Sequence, residues 1–387
     1  MTYAHIVGWG KYVPAKVLTN DELSKTVDTS DEWIASHTGV RARHIAGPKE
    51  SAVTLGLAAA KDALEVAGVR PNEVDLIICA TLTPEYAFPS TASLIQDALG
   101  ATKAGAFDLS AGCSGFVYGL SLASQVIQGG GHQVVLVIGT ETLSRIVNWK
   151  DRNTCILFGD GAGAVVLKAA EGRGGVLSSL VRSDGSGGDL LIVPAGGSHL
   201  PTSAETVLQG LHWIQMNGRE VFRFAARVLD KATREVVEHA GLTLDDINLF
   251  IPHQANLRII QSAARSLKLT EDRYFVNLDQ YGNTSSASIP IALCEAVECG
   301  RIKPGDKVVV VGFGAGLTWA AAAIQWGGPE PLHKPSRLER WLSRLLYPVA
   351  AVRSRVMRVI RLIEARFFEP ALSRPGGEDR EHHKKEE

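Results

Sequence analysis

The 387 residues, 45% hydrophobic and 21% charged, have an ordinary globular composition, with room for two domains or one large duplicated domain. A formal net charge of −1 argues against a nucleic-acid binder. The five cysteines are odd in number and none is spaced CxxC, so neither a disulfide framework nor a zinc site is expected, and a reducing cytoplasm is the expected setting.

From the start of the chain, MTYAHIVGWGKYVP lacks a basic segment followed by an apolar one and does not read as a signal peptide. Ala52–Ala67 reads as a helix, Val74–Thr81 as a strand, Ser90–Leu99 as a helix, Ala104–Leu109 as a strand and Ser114–Gln128 as a helix. Val134–Gly139 and Gly163–Leu167 follow as strands, then a helix over Gly218–Ala240 and a strand over Leu249–Pro252. Leu257–Leu267 and Ser286–Cys299 read as helices, and Lys307–Val311 and Trp319–Ile324 as strands. This alternation predicts an α/β protein with a mostly parallel sheet and helices on its faces.

The two halves repeat each other. AGVRPNEVDLII from Ala67 matches AGLTLDDINLFI from Ala240, 173 residues later. GDGAGAVVL from Gly159 pairs with GFGAGLTWA from Gly312, and the same offset carries Cys113 onto Ser286, each at a helix start. A duplicated fold follows, with halves at 1–172 and 173–328 and a site at their junction. Beyond, 329–387 holds the rest of a Gly/Pro linker, an Arg-rich helical region and a polar tail.

Three residues have the right chemistry and place for catalysis. Cys113, in FDLSAGCSGF, follows a strand and precedes a helix, whose free N–H groups and partial positive charge favour a thiolate. A small buried cysteine is the plain alternative. His253, in FIPHQAN, stands at a strand's C-terminal end, where α/β proteins place their sites, although a satisfied core histidine fits as well. Asn283, in QYGNTSSAS, is either a turn and cap residue or part of a loop built for close approach to a ligand.

TSDEWI (29–34), GCSG (112–115), DRNTCILFGDGAGA (151–164), PHQAN (252–256), GNTSSAS (282–288) and FGAGLTW (313–319), in that order, resemble β-ketoacyl-acyl carrier protein synthase III. The resemblance implies a duplicated, five-layered αβαβα thiolase-like fold and a homodimer, with CoA thioesters as substrates and no metal or redox cofactor. It implies transfer of an acyl group from acyl-CoA to Cys113, then condensation with malonyl-acyl carrier protein, initiating fatty-acid synthesis. His253 and Asn283 would stabilise the enolate, and the backbone N–H groups of Cys113 and Ala315 would form the oxyanion hole. Decarboxylation supplies the enolate without a strong base, so hydrogen-bond donors suffice. Trp33 and Arg152 match the pair that sandwiches the adenine of CoA, and Met216, Gly218 and Phe222 the pantetheine channel. Phe88 matches the residue that caps a neighbouring subunit's acyl pocket, and Arg223 and Arg258 positions that dock the carrier protein. Two rival readings are a condensing enzyme of specialised lipid or polyketide synthesis with a longer primer, and a non-catalytic membrane-associated acyl-binding protein.

The chain departs from the family twice. His37 stands where relatives carry an arginine associated with the nucleotide's phosphates. The C-terminal region is extra: Val349, Val352, Val356, Val359, Ile360, Ile363 and Phe367 form one apolar stripe, with Arg353, Arg355, Arg358, Arg361 and Arg366 off it. Pro348 is expected to separate this helix from an earlier one carrying Trp341 and Leu345. The helix has three readings: folded back on the body, lying on an anionic membrane through 336–368 as a peripheral contact, or binding a partner.

Overall fold

The computed structural model describes residues 2–327 and 337–367, so most of the Gly/Pro linker and the polar tail lie outside the described residues. Two sheets carry the fold. The first contains β1 (Thr2–Tyr12), β2 (Leu76–Ala80), β3 (Gly105–Leu109), β4 (Val134–Thr142) and β5 (Asp160–Glu171), in the order β1-β5-β4-β2-β3. The second contains β6 (Gly175–Ser183), β7 (Leu249–Pro252), β8 (Lys307–Gly314) and β9 (Thr318–Gln325), in the order β7-β8-β9-β6. β4 and β8 are almost wholly buried, as their unbroken valine-rich runs require of strands covered on both faces.

Helices α1 (Asp31–Thr38), α2 (Ala52–Ala67), α3 (Thr91–Leu99), α4 (Gly115–Gln128), α5 (Gly218–His239), α6 (Leu257–Ser266), α7 (Ser288–Glu298) and α8 (Arg337–Phe367) complete the framework. α4 and α7 touch strands of both sheets and form the middle layer. Phe116, Val117 and Leu120 from α4 and Ile289 and Leu293 from α7 are buried there. α2 and α3 cover the first sheet's outer face, and α5 with α6 beside it covers the second, giving the five layers αβαβα. α2 starts at Ser51, whose side chain accepts the Thr54 N–H, and stops at Gly68 in the left-handed region.

Three expectations need correction. The sheets are mixed rather than mostly parallel: β2 runs parallel to β3 and β4, but β4–β5 and β5–β1 are antiparallel. In the second sheet only β7–β8 is parallel. β1 and β6, absent from the sequence reading, supply antiparallel strands. Finally, α8 runs unbroken through Pro348. An internal proline costs roughly 3 kcal/mol. The helix meets the body on both sides of it: Lys61 Nζ lies 4.6 Å from the Tyr347 ring centre, and Ala350 packs against Gly100.

α8 rests on α3 through its polar side. The Ser354 hydroxyl donates to Asp97 at 2.5 Å, and Arg358 lies 3.6 Å from the same carboxylate. The body therefore does not cover the described part of the apolar stripe, which a folded-back helix was expected to bury. Val352, Val356, Val359, Ile360 and Ile363 are all exposed. The side chains of Trp341, Leu345, Val349, Arg366 and Phe367 lie outside the described residues.

Candidate active site

Cys113 sits in the turn between β3 and α4, and that turn is clamped onto the other half of the molecule. Gly112 has φ 57°, and a Cβ there would fall 2.6 Å from the Ala315 nitrogen. A Cβ on Gly314 would fall 2.3 Å from the Cys113 nitrogen. Only glycine permits this approach, which sets the Cys113 and Ala315 backbones side by side. Ser114 and Thr318 hydroxyls both donate to the Ala111 carbonyl, at 2.7 and 2.8 Å, and tie the halves together.

The thiol is buried, and burial pushes its pKa up to about 12; the Glu141 charge adds to this and the neighbouring Ser285 side chain opposes it. The helix start was expected to favour thiolate. Desolvation outweighs it, so Cys113 rests as a thiol.

His253 follows β7, and its N–H donates to the Val311 carbonyl at 2.8 Å. The ring meets Phe313 edge-on at 5.2 Å, and Nδ1 lies 2.6 Å from the Ser288 hydroxyl. The Gln254 N–H donates to that hydroxyl oxygen (3.4 Å), which frees its hydrogen for Nδ1. This network assigns the ring hydrogen to Nε2. Burial drives the His253 pKa down to about 3, so the ring is a neutral donor.

Asn283 is held by its backbone, which donates to the Leu157 carbonyl (2.8 Å) and accepts from Gly159 N–H (3.0 Å). Its Oδ1 accepts the Ser285 N–H at 2.8 Å. The side chain is thus a local cap, which leaves the donors of its NH2 group uncommitted to that contact. Cys113, His253 and Asn283 line one cavity of about 120 Å³ together with Met216, Gly218 and Phe222. A second, mostly apolar cavity of about 190 Å³ meets it at Cys113, lined by Leu82, Leu143, Ile146, Ile214 and Ala315 among others. Outside, a cleft of about 540 Å³ carries Lys150, Asp151, Leu208 and Trp213 and reaches the first cavity at Met216.

Glu141 went unread in the sequence. It is fully buried at the end of β4, accepts from Leu82 N–H and the hydroxyls of Thr83 and Ser286, and is pushed up in pKa by burial. It pins the loop that carries Asn283 to the first sheet. The only signal was a Thr-Glu-Thr continuation of an apolar strand, which resembles an exit to solvent.

The remaining expected residues lie outside the cavities. Arg152 Cζ stands 4.9 Å from the Trp33 ring centre and donates to the Asp28 carbonyl at 3.1 Å. Stacking a flat base between them needs about 7 Å, so Arg152 must swing outward to admit one. His37 stacks on Trp33 at 4.4 Å, with Nδ1 2.7 Å from the Trp33 carbonyl, so its ring is turned toward its own helix. Arg223 pairs with Glu220, and Arg258 donates to the Ser36 carbonyl; both are exposed. Phe88 is 87% exposed and lines neither cavity. Among the described residues no cluster of metal-ligating side chains occurs, and no helix is long and apolar enough to cross a membrane.

Comparison with known proteins gives a consistent set of relatives. Residues 107–185 match the family 3-oxoacyl-[acyl-carrier-protein (ACP)] synthase III, and residues 237–326 match its C-terminal counterpart. The chain is 57% identical over 323 residues to a β-ketoacyl-[acyl-carrier-protein] synthase III of Symbiobacterium thermophilum, spanning 83% of this chain and 98% of that protein. It is 56% identical over 323 residues to the enzyme of that name from Caldanaerobacter subterraneus, with 84% and 98% covered. The crystal structure of 3-oxoacyl-[acyl-carrier-protein] synthase III from Aquifex aeolicus superposes with TM-score 0.77 at 46% identity, covering 84% of this chain and all of that one. The C-terminal family match ends at residue 326, before α8 begins.

Proposed function

The chain belongs to the β-ketoacyl-[acyl-carrier-protein] synthase III family, and from that premise we propose how its residues divide the work. It is a condensing acyltransferase that initiates fatty-acid synthesis from an acyl-CoA and malonyl-acyl carrier protein. Cys113 attacks the acyl-CoA carbonyl; its C–S bond forms as the bond to CoA breaks, and the thiol proton ends on the CoA sulfur. The Cys113 and Ala315 N–H groups hold the oxyanion. Malonyl thioester then loses CO2, and the carbanion takes the acyl carbon from Cys113, whose sulfur regains a proton from solvent. His253 Nε2–H and Asn283 NH2 bind the malonyl thioester oxygen as its charge grows. A neutral histidine suits this step, since it donates a hydrogen bond and keeps its proton.

Met216, Gly218 and Phe222 serve as the wall of the pantetheine passage, and the apolar cavity beyond Cys113 receives the primer. Trp33 and Arg152 grip the adenine once Arg152 has moved. Arg223 and Arg258, at the starts of α5 and α6, receive the acidic carrier protein. A homodimer is supported by β3, an edge strand with an unpaired side, and by the exposed Phe88. The working setting is cytoplasmic, with a peripheral membrane contact through 336–368.

The carrying observation is the convergence of Cys113, His253 and Asn283 on one cavity from opposite halves of the chain. Intact-mass measurement after incubation with a series of acyl-CoAs tests it. The protein should gain one acyl mass and Cys113→Ser none. The mass distinguishes a short primer from the longer one of specialised synthesis. No adduct with any acyl-CoA would overturn the catalytic reading.

A further inference from the structure

We propose that the outward face of α8, centred on Val352, Val356, Val359, Ile360 and Ile363, is an interfacial anchor for anionic lipid, held open by a polar latch on Asp97. This deepens the peripheral-contact reading above by naming the side chains, the lipid charge and the device that orients them.

The geometry begins with which side of α8 the body uses. Tyr347, Ala350, Ser354 and Arg358 recur at helical spacing and touch Lys61, Gly100 and Asp97. Val356 lies two residues beyond Ser354, about 200° around the axis, and so points away. Val352 is 59% exposed, Val356 50%, Val359 54% and Ile363 50%. Such a stripe on a helix end needs a cover.

Charge selects that cover. Between residues 352 and 364 the chain has Arg353, Arg355, Arg358 and Arg361 against a single acid, Glu364. Arg353 and Arg355 border the stripe on either side. Two copies packed stripe to stripe would bring arginine edges together with almost no acid to answer them. Anionic headgroups meet Arg353 and Arg355 favourably, while the stripe enters the acyl boundary and the long side chains reach back to the headgroups. Asp97 takes part by holding Ser354 and Arg358 against the body, so that the apolar face cannot roll inward.

Sedimentation of the full chain with phosphatidylglycerol vesicles and with phosphatidylcholine vesicles tests this, beside light scattering without lipid. The full chain should sediment with phosphatidylglycerol, weakly with phosphatidylcholine, and less as salt rises. Val356→Asp combined with Ile360→Asp should lower anionic-vesicle partitioning about tenfold or more, while condensation of soluble substrates is kept, which shows that the body is folded. Asp97→Ala should weaken vesicle binding with the stripe intact. Equal sedimentation by the stripe variant would overturn the anchor and leave a peripheral contact by another surface. No sedimentation by the full chain would overturn both. A drop in solution mass on stripe substitution, without lipid binding, would assign the face to a second copy and also overturn the proposal.

Discussion

Replacing His253 by asparagine should change how the protein's stability responds to acid. In the folded state burial holds the ring neutral, with its pKa lowered from 6.5 to about 3. The unfolded chain binds a proton at this ring below pH 6.5 and the folded chain does not. The contribution is therefore present in full above that value and is lost as pH falls from 6.5 toward 3. At pH 5 the unfolded ring is protonated about 30-fold over neutral, which favours unfolding by about 2 kcal/mol relative to pH 7. Glu141 and Asp160 also titrate, but they are common to both proteins and cancel in the comparison. Urea unfolding at matched protein concentration, at pH 7 and pH 5, should show the native protein losing about 2 kcal/mol more than His253→Asn. Parallel losses, within about 0.5 kcal/mol, would refute a buried neutral histidine and with it the donor role argued for Nε2.

Three further outcomes are expected. Asn283→Ala should slow malonyl decarboxylation by ~10²–10³ and leave acylation of Cys113 by acyl-CoA much less affected; stopped-flow measurement of the two half-reactions separates them, and equal losses would contradict the assignment. Because burial raises the Cys113 pKa to about 12, alkylation by iodoacetamide should climb close to tenfold per pH unit from pH 7 to 10, whereas a flat profile would mean a resting thiolate. Glu141→Ala leaves the Thr83 and Ser286 hydroxyls without their buried acceptor and should destabilise by about 3 kcal/mol or more, read as a lowered midpoint in denaturant.

The elements most legible in the sequence were those whose ends and faces are set locally. Ala52–Ala67 has a serine cap, a glycine stop and a helical run of alanine and leucine, and it folds over those residues. Leu249–Pro252 is a short apolar run bounded by polar residues, and it too is a strand as read. β1 was hidden because Gly8 and Gly10 interrupt its apolar pattern; those glycines are small so that α2 can press close against the strand, a fact of packing. β6 sets the adjacent Ser178 and Ser179 between apolar pairs, with no period-2 pattern, and draws its order from pairing with β9, well over a hundred residues away. The ordered motifs marked the three residues that line one cavity, Cys113, His253 and Asn283, while Glu141 and the lining of the apolar cavity come together only in the fold. Likewise, amphipathicity located α8 but could not say which face would be turned outward; that depends on Asp97.

The two cavities that meet at Cys113 impose a timetable on the enzyme. If both thioester arms reach the sulfur through the passage of about 120 Å³, they must use it in turn. The first carrier has to withdraw before the second can enter, and the acyl group left behind waits in the mostly apolar cavity beside Cys113. Initial-rate plots for the two substrates should then be parallel rather than intersecting, and free CoA should compete with the malonyl donor for the vacated passage. The pool of unacylated CoA would thus act as a brake on starting new chains, imposed by the width of a corridor rather than by a separate regulatory site.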